Sequence, residues 1–165
     1  MKILGSPTEC INSILSELDR LNIDYKSFQL DHICYRVETM ERYTLLKHQL
    51  RTIAFPFHES LIAGRMISIL KFVKPLKWLH GEIEFLELPA PKPNRPYKEG
   101  FEHIEFVVDQ NLGHFINTYP RIAFNTKGLS KALNADVKIQ FEKYAVKFHC
   151  LPIDQVIEIE NSRNG

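Results

Sequence analysis

The sequence is poor in cysteine, in net charge and in long apolar stretches, and each shortage excludes a class of protein. Its three cysteines, Cys10, Cys34 and Cys150, form no Cys-x-x-Cys pair, which argues against a disulfide framework or zinc knuckle and predicts a cytoplasmic location. The net charge of +1 provides no strong field for nucleic acid or an anionic membrane. No run of about 18 apolar residues occurs, so no transmembrane helix is expected.

What remains is typical of a soluble globular protein. The length of 165 residues suits one domain over 1–165, or two small modules that share one core. Hydrophobic residues make up 44% and charged residues 25%, which is ordinary for a folded domain. We expect a small-molecule substrate, no nucleic-acid or membrane partner, and either a monomer or a homodimer.

A repeat with an offset of 71 residues is the most informative pattern in the chain. Residues 31–37 and residues 102–108 each consist of an acidic residue, a histidine and a strand-like run. A second pair has the same offset, because the string Phe-Leu-Glu-Leu at 85–88 is matched by Val-Ile-Glu-Ile at 156–159. Each half therefore carries one histidine on its first predicted strand and one glutamate on its last.

Two histidines and two carboxylates from two copies of one module form a suitable set of ligands for a divalent metal ion. The predicted ligands are His32, Glu87, His103 and Glu158. Side chains alternate along a strand, so the histidines face away from the apolar side of their strands. The ligand types allow Fe, Mn, Co, Ni or Zn, and the sequence does not choose among them.

Hydrophobic periodicity and turn residues divide the chain into four parts. Residues 1–27 contain an N-terminal helix, and residues 28–89 read as a first βαβββ module. A proline-rich linker, residues 90–100, separates it from a second βαβββ module at 101–160. The last strand of that second module is predicted at Gln155 to Ile159.

The chain also resembles the vicinal-oxygen-chelate superfamily and, more closely, the YecM family, from about residue 5 to residue 160. The resemblance rests on Asp31-His32-Ile33 with Arg36, on Gly64-Arg65 leading to Leu70-Lys71, on Leu86-Glu87-Leu88-Pro89, on Tyr97 to Glu105, and on Val146-Lys147-Phe148-His149. It implies an α+β fold in which paired βαβββ modules form a cupped, barrel-like mixed sheet around a metal ion, here with an extra N-terminal helix. It also implies a metal-binding enzyme whose reaction is not defined.

One position departs from the resemblance. YecM-like sequences do not keep a carboxylate at the position of Glu158, and Glu160 or His149 matches them better there. The fourth ligand therefore stays open among these three residues.

Further polar residues on the predicted strands are candidates for catalysis and substrate binding. Glu105, two residues beyond His103, is a candidate base, and His149 is a second one. Arg36, Arg65 and Lys71 are candidates for binding an anionic group of the substrate.

Three functions fit these patterns. The first is a divalent-metal-dependent enzyme, of isomerase, lyase or dioxygenase type, that acts on a small oxygen-chelating substrate. The second is a non-catalytic protein that binds a small molecule in the same cup. The third is a scaffold that binds a partner through its N-terminal helix and linker.

Overall fold

The computed structural model describes residues 3–93 and 97–164, which form four α-helices, one 3-10 helix and seven β-strands. The helices are α1 (Thr8–Arg20), α2 (Met40–Leu50), α3 (Leu112–Thr118) and α4 (Ile153–Asn164), with the 3-10 helix at Lys127–Ser130. The strands are β1 (Gln29–Arg36), β2 (Ala54–Ile62), β3 (Arg65–Trp78), β4 (Gly81–Pro89), β5 (Gly100–Val107), β6 (Asp136–Gln140) and β7 (Ala145–His149). Residues 94–96 of the predicted linker lie outside the described ranges.

All the described strands join one sheet, in the order β2-β3-β4-β1-β5-β7-β6. The middle strands β1 and β5 are antiparallel, and each has a parallel neighbour, β4 beside β1 and β7 beside β5. The two halves are therefore related by an approximate two-fold axis between β1 and β5. The predicted α+β class with a mixed sheet is confirmed, and the sheet is open, with β2 and β6 at its edges.

The first half of the chain has the predicted βαβββ order, from β1 through α2 to β4. The second half does not, because α3 is followed by the 3-10 helix and only then by β6 and β7. Its closing strand is β7, which pairs with β5 as β4 pairs with β1. Among the described residues of the second half, the counterpart of β2 is reduced to a single antiparallel β-bridge, between Asn125 and Lys138 of β6.

The predicted strand from Gln155 to Ile159 is wrong, because these residues belong to α4. The run of β-branched residues is typical of a strand, but Val156 and Ile157 are both buried although they are adjacent in sequence. Ile153 and Ile157, four residues apart, lie on one face of the helix and pack on the sheet. Tertiary packing therefore outweighs the local preference for a strand.

The sheet has two different faces. One face packs against α1, α2 and α3 in the main core, where Ile14, Leu46, Phe106 and Phe115 are fully buried. The other face carries His32, His103, Glu87 and Glu105, and α4 contacts it through a small apolar cluster. Within the residues that the structure describes, we find no helix that is long and apolar enough to cross a membrane.

Candidate metal centre

A β-bulge places Asp31 beside His32 on β1. Leu30 pairs with Phe106 and His32 pairs with Glu105, so Asp31 is the extra residue between the two pairs. The bulge brings the buried Asp31 carboxylate to the His32 imidazole, with 2.8 Å between Oδ2 and Nδ1.

A second bulge repeats this arrangement on β5. Cys34 pairs with His103 and Tyr35 pairs with Phe101, which leaves Glu102 as the extra residue. The Glu102 carboxylate contacts Nδ1 of His103. The acidic residue that precedes each histidine in the sequence repeat is thus its hydrogen-bond partner. A histidine held in this way at one nitrogen presents the other, and metal-ligating histidines commonly have such a partner.

The free nitrogens of both histidines converge on Glu105. The Glu105 Oε1 atom lies 2.9 Å from His103 Nε2 and 3.3 Å from His32 Nε2. Glu87 on β4 completes the group, with its Oε2 atom 3.8 Å from His32 Nε2. Ligand atoms of His32, Glu87, His103 and Glu105 all lie within 4.8 Å of one another, so these four residues could hold one ion.

The charges of this group favour a cation. Burial raises the pKa of Glu105, but Lys147 and His32 outweigh that effect and hold it well below its usual range. Burial lowers the pKa of His32, but Glu105 and Asp31 outweigh that effect and raise it to about 10. Without an ion Glu105 is therefore ionised and His32 keeps its proton, and a divalent ion would replace that proton.

A buried nitrogen without a partner supports the same interpretation. His32 Nε2 has no hydrogen-bond partner among the described residues, although it is buried and faces Glu105 and Glu87. Buried polar atoms in folded proteins are usually satisfied, and an ion held between His32 and the two carboxylates would give this nitrogen a partner. Two imidazoles and two carboxylates are suitable ligands for a transition-metal ion.

Lys147 is the residue of this centre that the sequence reasoning missed. It lies on β7 opposite Glu105, and its ammonium group contacts Glu105 Oε1. Burial lowers the pKa of Lys147, but Glu105 and Glu87 outweigh that effect and raise it, so the ammonium is charged. The only sequence signal was that Lys147 belongs to a string shared with related proteins.

His149 lies at the edge of the group. Its Nδ1 is 2.8 Å from the Leu151 carbonyl oxygen. Its Nε2 has no hydrogen-bond partner in the described ranges and lies 3.5 Å from Asp31 Oδ2 and 3.6 Å from Glu105 Oε2. Burial lowers the pKa of His149 despite the carboxylates Glu105 and Asp31. The neutral tautomer of His149 in which Nδ1 donates to the Leu151 carbonyl oxygen directs the Nε2 lone pair towards the centre.

The other predicted ligands lie on α4, away from this group. Glu158 is exposed, and it belongs to none of the possible ion-binding groups that the described part of the chain contains. Glu160 lies 3.5 Å from Nε2 of His58 on β2. The structure thus brings together His32, Glu87 and His103 from the predicted ligand set, adds Glu105, and leaves Glu158 outside.

The predicted substrate-binding cations have partners of their own. Arg36 contacts Glu102 at 2.9 Å and lies over the Tyr97 ring. Arg65 donates to the Ala90 carbonyl oxygen at 3.2 Å. Lys71 pairs with Glu84 at 2.8 Å. Of the three, Arg36 is linked to the centre, through Glu102 and His103.

Helix α4 packs on the same face of the sheet as the centre. Ile157 packs against Ile67, Ile69 and Phe85 on the same face of the sheet. The Ile153 N–H, at the start of the helix, donates to both oxygens of Asp31 at 3.1 Å. The side chains of Glu87 and Glu105 are only 14% and 9% exposed, so the centre is shielded from bulk water.

Comparison with known protein families gives one match that spans nearly the whole chain. The family described as YecM protein matches residues 2–160. Protein YecM of Escherichia coli K12 is 28% identical, over 90% of this chain and 87% of its own length. An uncharacterised protein of Haemophilus influenzae is also 28% identical, but the match covers 59% of this chain and only 53% of that protein.

Solved structures resemble this fold to different degrees. The structural-genomics protein EC4020 superposes with a TM-score of 0.77 at 24% identity, covering 91% of this chain and 86% of that one. A methylmalonyl-CoA epimerase variant from Streptomyces coelicolor, solved with 2-nitronate-propionyl-CoA, superposes with a TM-score of 0.53 at 13% identity, covering 74% of this chain and 96% of the epimerase. At these identities the likeness is one of fold.

Proposed function

The chain belongs to the YecM family, and we propose that it is an enzyme that uses one divalent metal ion to act on a small substrate with two neighbouring oxygen atoms. We also propose that the family is part of the vicinal-oxygen-chelate superfamily. The fold shared with methylmalonyl-CoA epimerase supports this placement. That epimerase was solved with a nitronate ligand, and by analogy we propose a substrate whose two oxygens can reach one ion.

The observation that carries the proposal is the pair of acid–histidine bulges. Asp31 and Glu102 hold Nδ1 of His32 and His103, and both Nε2 atoms face Glu105 beside Glu87. This convergence requires a β-bulge at equivalent positions of two strands, β1 and β5, which come from different halves of the chain. A purely structural role for two buried histidines does not require that duplication.

Each residue near the centre has a distinct role in this proposal. His32, His103, Glu87 and Glu105 hold the ion, which when bound supplies a Lewis acid that polarises a substrate oxygen. Glu105, predicted as a base, thereby becomes a ligand. His149 accepts the substrate proton at Nε2, because Nδ1 donates to the Leu151 carbonyl oxygen and keeps Nε2 free. Helix α4 excludes water from the reacting atoms.

A second candidate function is favoured by Lys147. Its ammonium already neutralises part of the charge on Glu105 and Glu87, so the group can be satisfied without an ion. In that case the protein would be a non-catalytic small-molecule-binding protein of the same fold. Metal content separates the two candidates.

The test is the metal content and coordination of untagged protein. We expect about one divalent ion per chain after purification or reconstitution with Fe(II), Mn(II), Co(II), Ni(II) or Zn(II), measured by mass spectrometry. Co(II) absorption spectra should show ligation by nitrogen and oxygen, and the double variant His32→Ala/His103→Ala should lose both signals while remaining folded. Folded wild-type protein that takes up no ion from any of these metals would sink the metalloenzyme and favour the organic-ligand alternative.

A further inference from the structure

Lys147 occupies the strand position in the second half that Glu87 occupies in the first. Glu87 on β4 lies opposite Cys34 on β1, two residues beyond His32. Lys147 on β7 lies opposite Glu105 on β5, two residues beyond His103. Both closing strands run parallel to their partners, so the approximate two-fold axis relates Glu87 to Lys147.

The ammonium group of Lys147 contacts the oxygen on which both histidines converge. Lys147 Nζ meets Glu105 Oε1, which also lies 2.9 Å from His103 Nε2 and 3.3 Å from His32 Nε2. The side chain is 20% exposed, and Glu87 adds a second negative charge close to it. This lysine is therefore built into the centre rather than placed at its rim.

An ion held by the same four residues would compete with this contact. Glu105 Oε1 would have to accept the ion where it now accepts the ammonium, and two cations this close repel each other strongly at low dielectric constant. Loss of one partner of a buried ion pair is also costly unless another charge replaces it.

We propose that Lys147 is a built-in cation that stands at the position equivalent to Glu87 and competes with the divalent ion for Glu105. In the ion-free protein Lys147 balances Glu105 and Glu87, and ion binding displaces its ammonium from Glu105. Lys147 thereby weakens metal affinity and determines how readily the centre is loaded. This inference rests on the proposed metal centre.

The experiment compares Mn(II) and Zn(II) affinity by calorimetry in wild type, Lys147→Gln and Lys147→Arg. We expect Lys147→Gln to bind at least ~10-fold more tightly than wild type, because the competing charge is gone. Lys147→Arg keeps the charge and should bind no more tightly than wild type. Lys74→Gln, which removes an exposed lysine on β3, is the charge control and should match wild type.

The affinities of wild type and Lys147→Gln distinguish three outcomes. Equal affinities in wild type and Lys147→Gln would overturn it and leave the proposed metal centre intact. Binding by Lys147→Gln but not by wild type would support it and overturn the metal-dependent function of the native protein. Absence of binding in all variants would overturn both.

The variant Lys147→Gln leaves Glu105 and Glu87 without their cation, so its ion-free form can be less stable. Thermal unfolding with and without Mn(II) covers that case, because an ion that binds only the folded state raises Tm. We expect a larger rise in Tm for Lys147→Gln than for wild type. A rise no larger than that of wild type would contradict the competition.

Discussion

The two halves of the sheet are alike at their inner strands and different at their closing strands. On β1 and β5 a bulge turns an acidic residue towards the histidine that follows it, Asp31 to His32 and Glu102 to His103. On β4 and β7 the equivalent positions hold opposite charges, Glu87 and Lys147. In the proposed metal centre the duplicated part would supply the nitrogen donors, and the part that differs would set the charge.

The outer parts of the halves differ as well. At the edge of the sheet, the first half has strand β2, on which Phe55, Leu61 and Ile62 are exposed. In the second half the 3-10 helix precedes β6, and the chain continues past β7 into α4, which packs on β3 and β4 of the first half. The second half therefore contributes a helix that packs on the sheet strands of the first half.

The largest effect expected is on metal affinity in the two histidine variants. His32→Ala and His103→Ala should each weaken binding by more than the roughly 10–100-fold that loss of an outer hydrogen-bond partner costs. The two losses should be similar, because each histidine supplies one nitrogen donor from an equivalent strand. Calorimetry with Zn(II) measures both.

His114→Ala, an exposed histidine on α3, is the matched control and should bind like wild type. Near-normal affinity in one of the two strand variants would break the functional symmetry of β1 and β5, even if the other variant lost its ion.

The next largest effect is expected on stability, at the contact between α4 and the sheet. Ile157→Ala should lower the free energy of unfolding by about 2–5 kcal/mol, because it removes a buried side chain from the contact between α4 and the sheet. Ile159→Ala, a half-buried position on the same helix, should cost less. Urea denaturation compares them, and an equal loss in both would show that α4 does not pack through Ile157.

A smaller effect is expected for the two carboxylates at the β-bulges, Asp31 and Glu102, whose variants should differ in stability. Asp31→Asn and Glu102→Gln should each weaken metal binding by roughly 10–100-fold, since each holds Nδ1 of a ligand histidine. Asp31→Asn should also lower the free energy of unfolding by about 1 kcal/mol more than Glu102→Gln, because Asp31 accepts the first N–H of α4. Calorimetry and urea titration measure the two quantities, and equal stability of the variants would argue against a role of Asp31 in anchoring the helix.

The smallest effect is expected at Glu158. Glu158→Gln should leave metal affinity within about twofold of wild type, because the side chain is exposed on α4. Glu87→Gln serves as the positive reference and should weaken binding strongly. A marked loss of metal from Glu158→Gln would restore the sequence interpretation of Glu158 as a ligand and contradict the geometry described above.

Much of the fold, but only part of the centre, could be predicted from the sequence. The repeat of acidic residue and histidine located β1 and β5, and the isolated carboxylate in an apolar run pointed to Glu87. For the second copy of that glutamate, Glu158, the predicted strand was wrong, because apolar neighbours can bury one side of a helix as readily as one side of a strand. Lys147 escaped notice because its importance depends on which strand closes the second half.

The sequence by itself determined the paired strands and the side chains that face away from the main core, since alternation along a strand is a local property of the backbone. Only the tertiary structure decided that β7 closes the second half, that Lys147 rather than a carboxylate meets Glu105, and that residues 153–164 form a helix packed on the sheet. These outcomes depend on register and packing between residues far apart in the chain. Local sequence patterns carry no information about this register and packing, because both are set only when distant parts of the chain meet in the sheet.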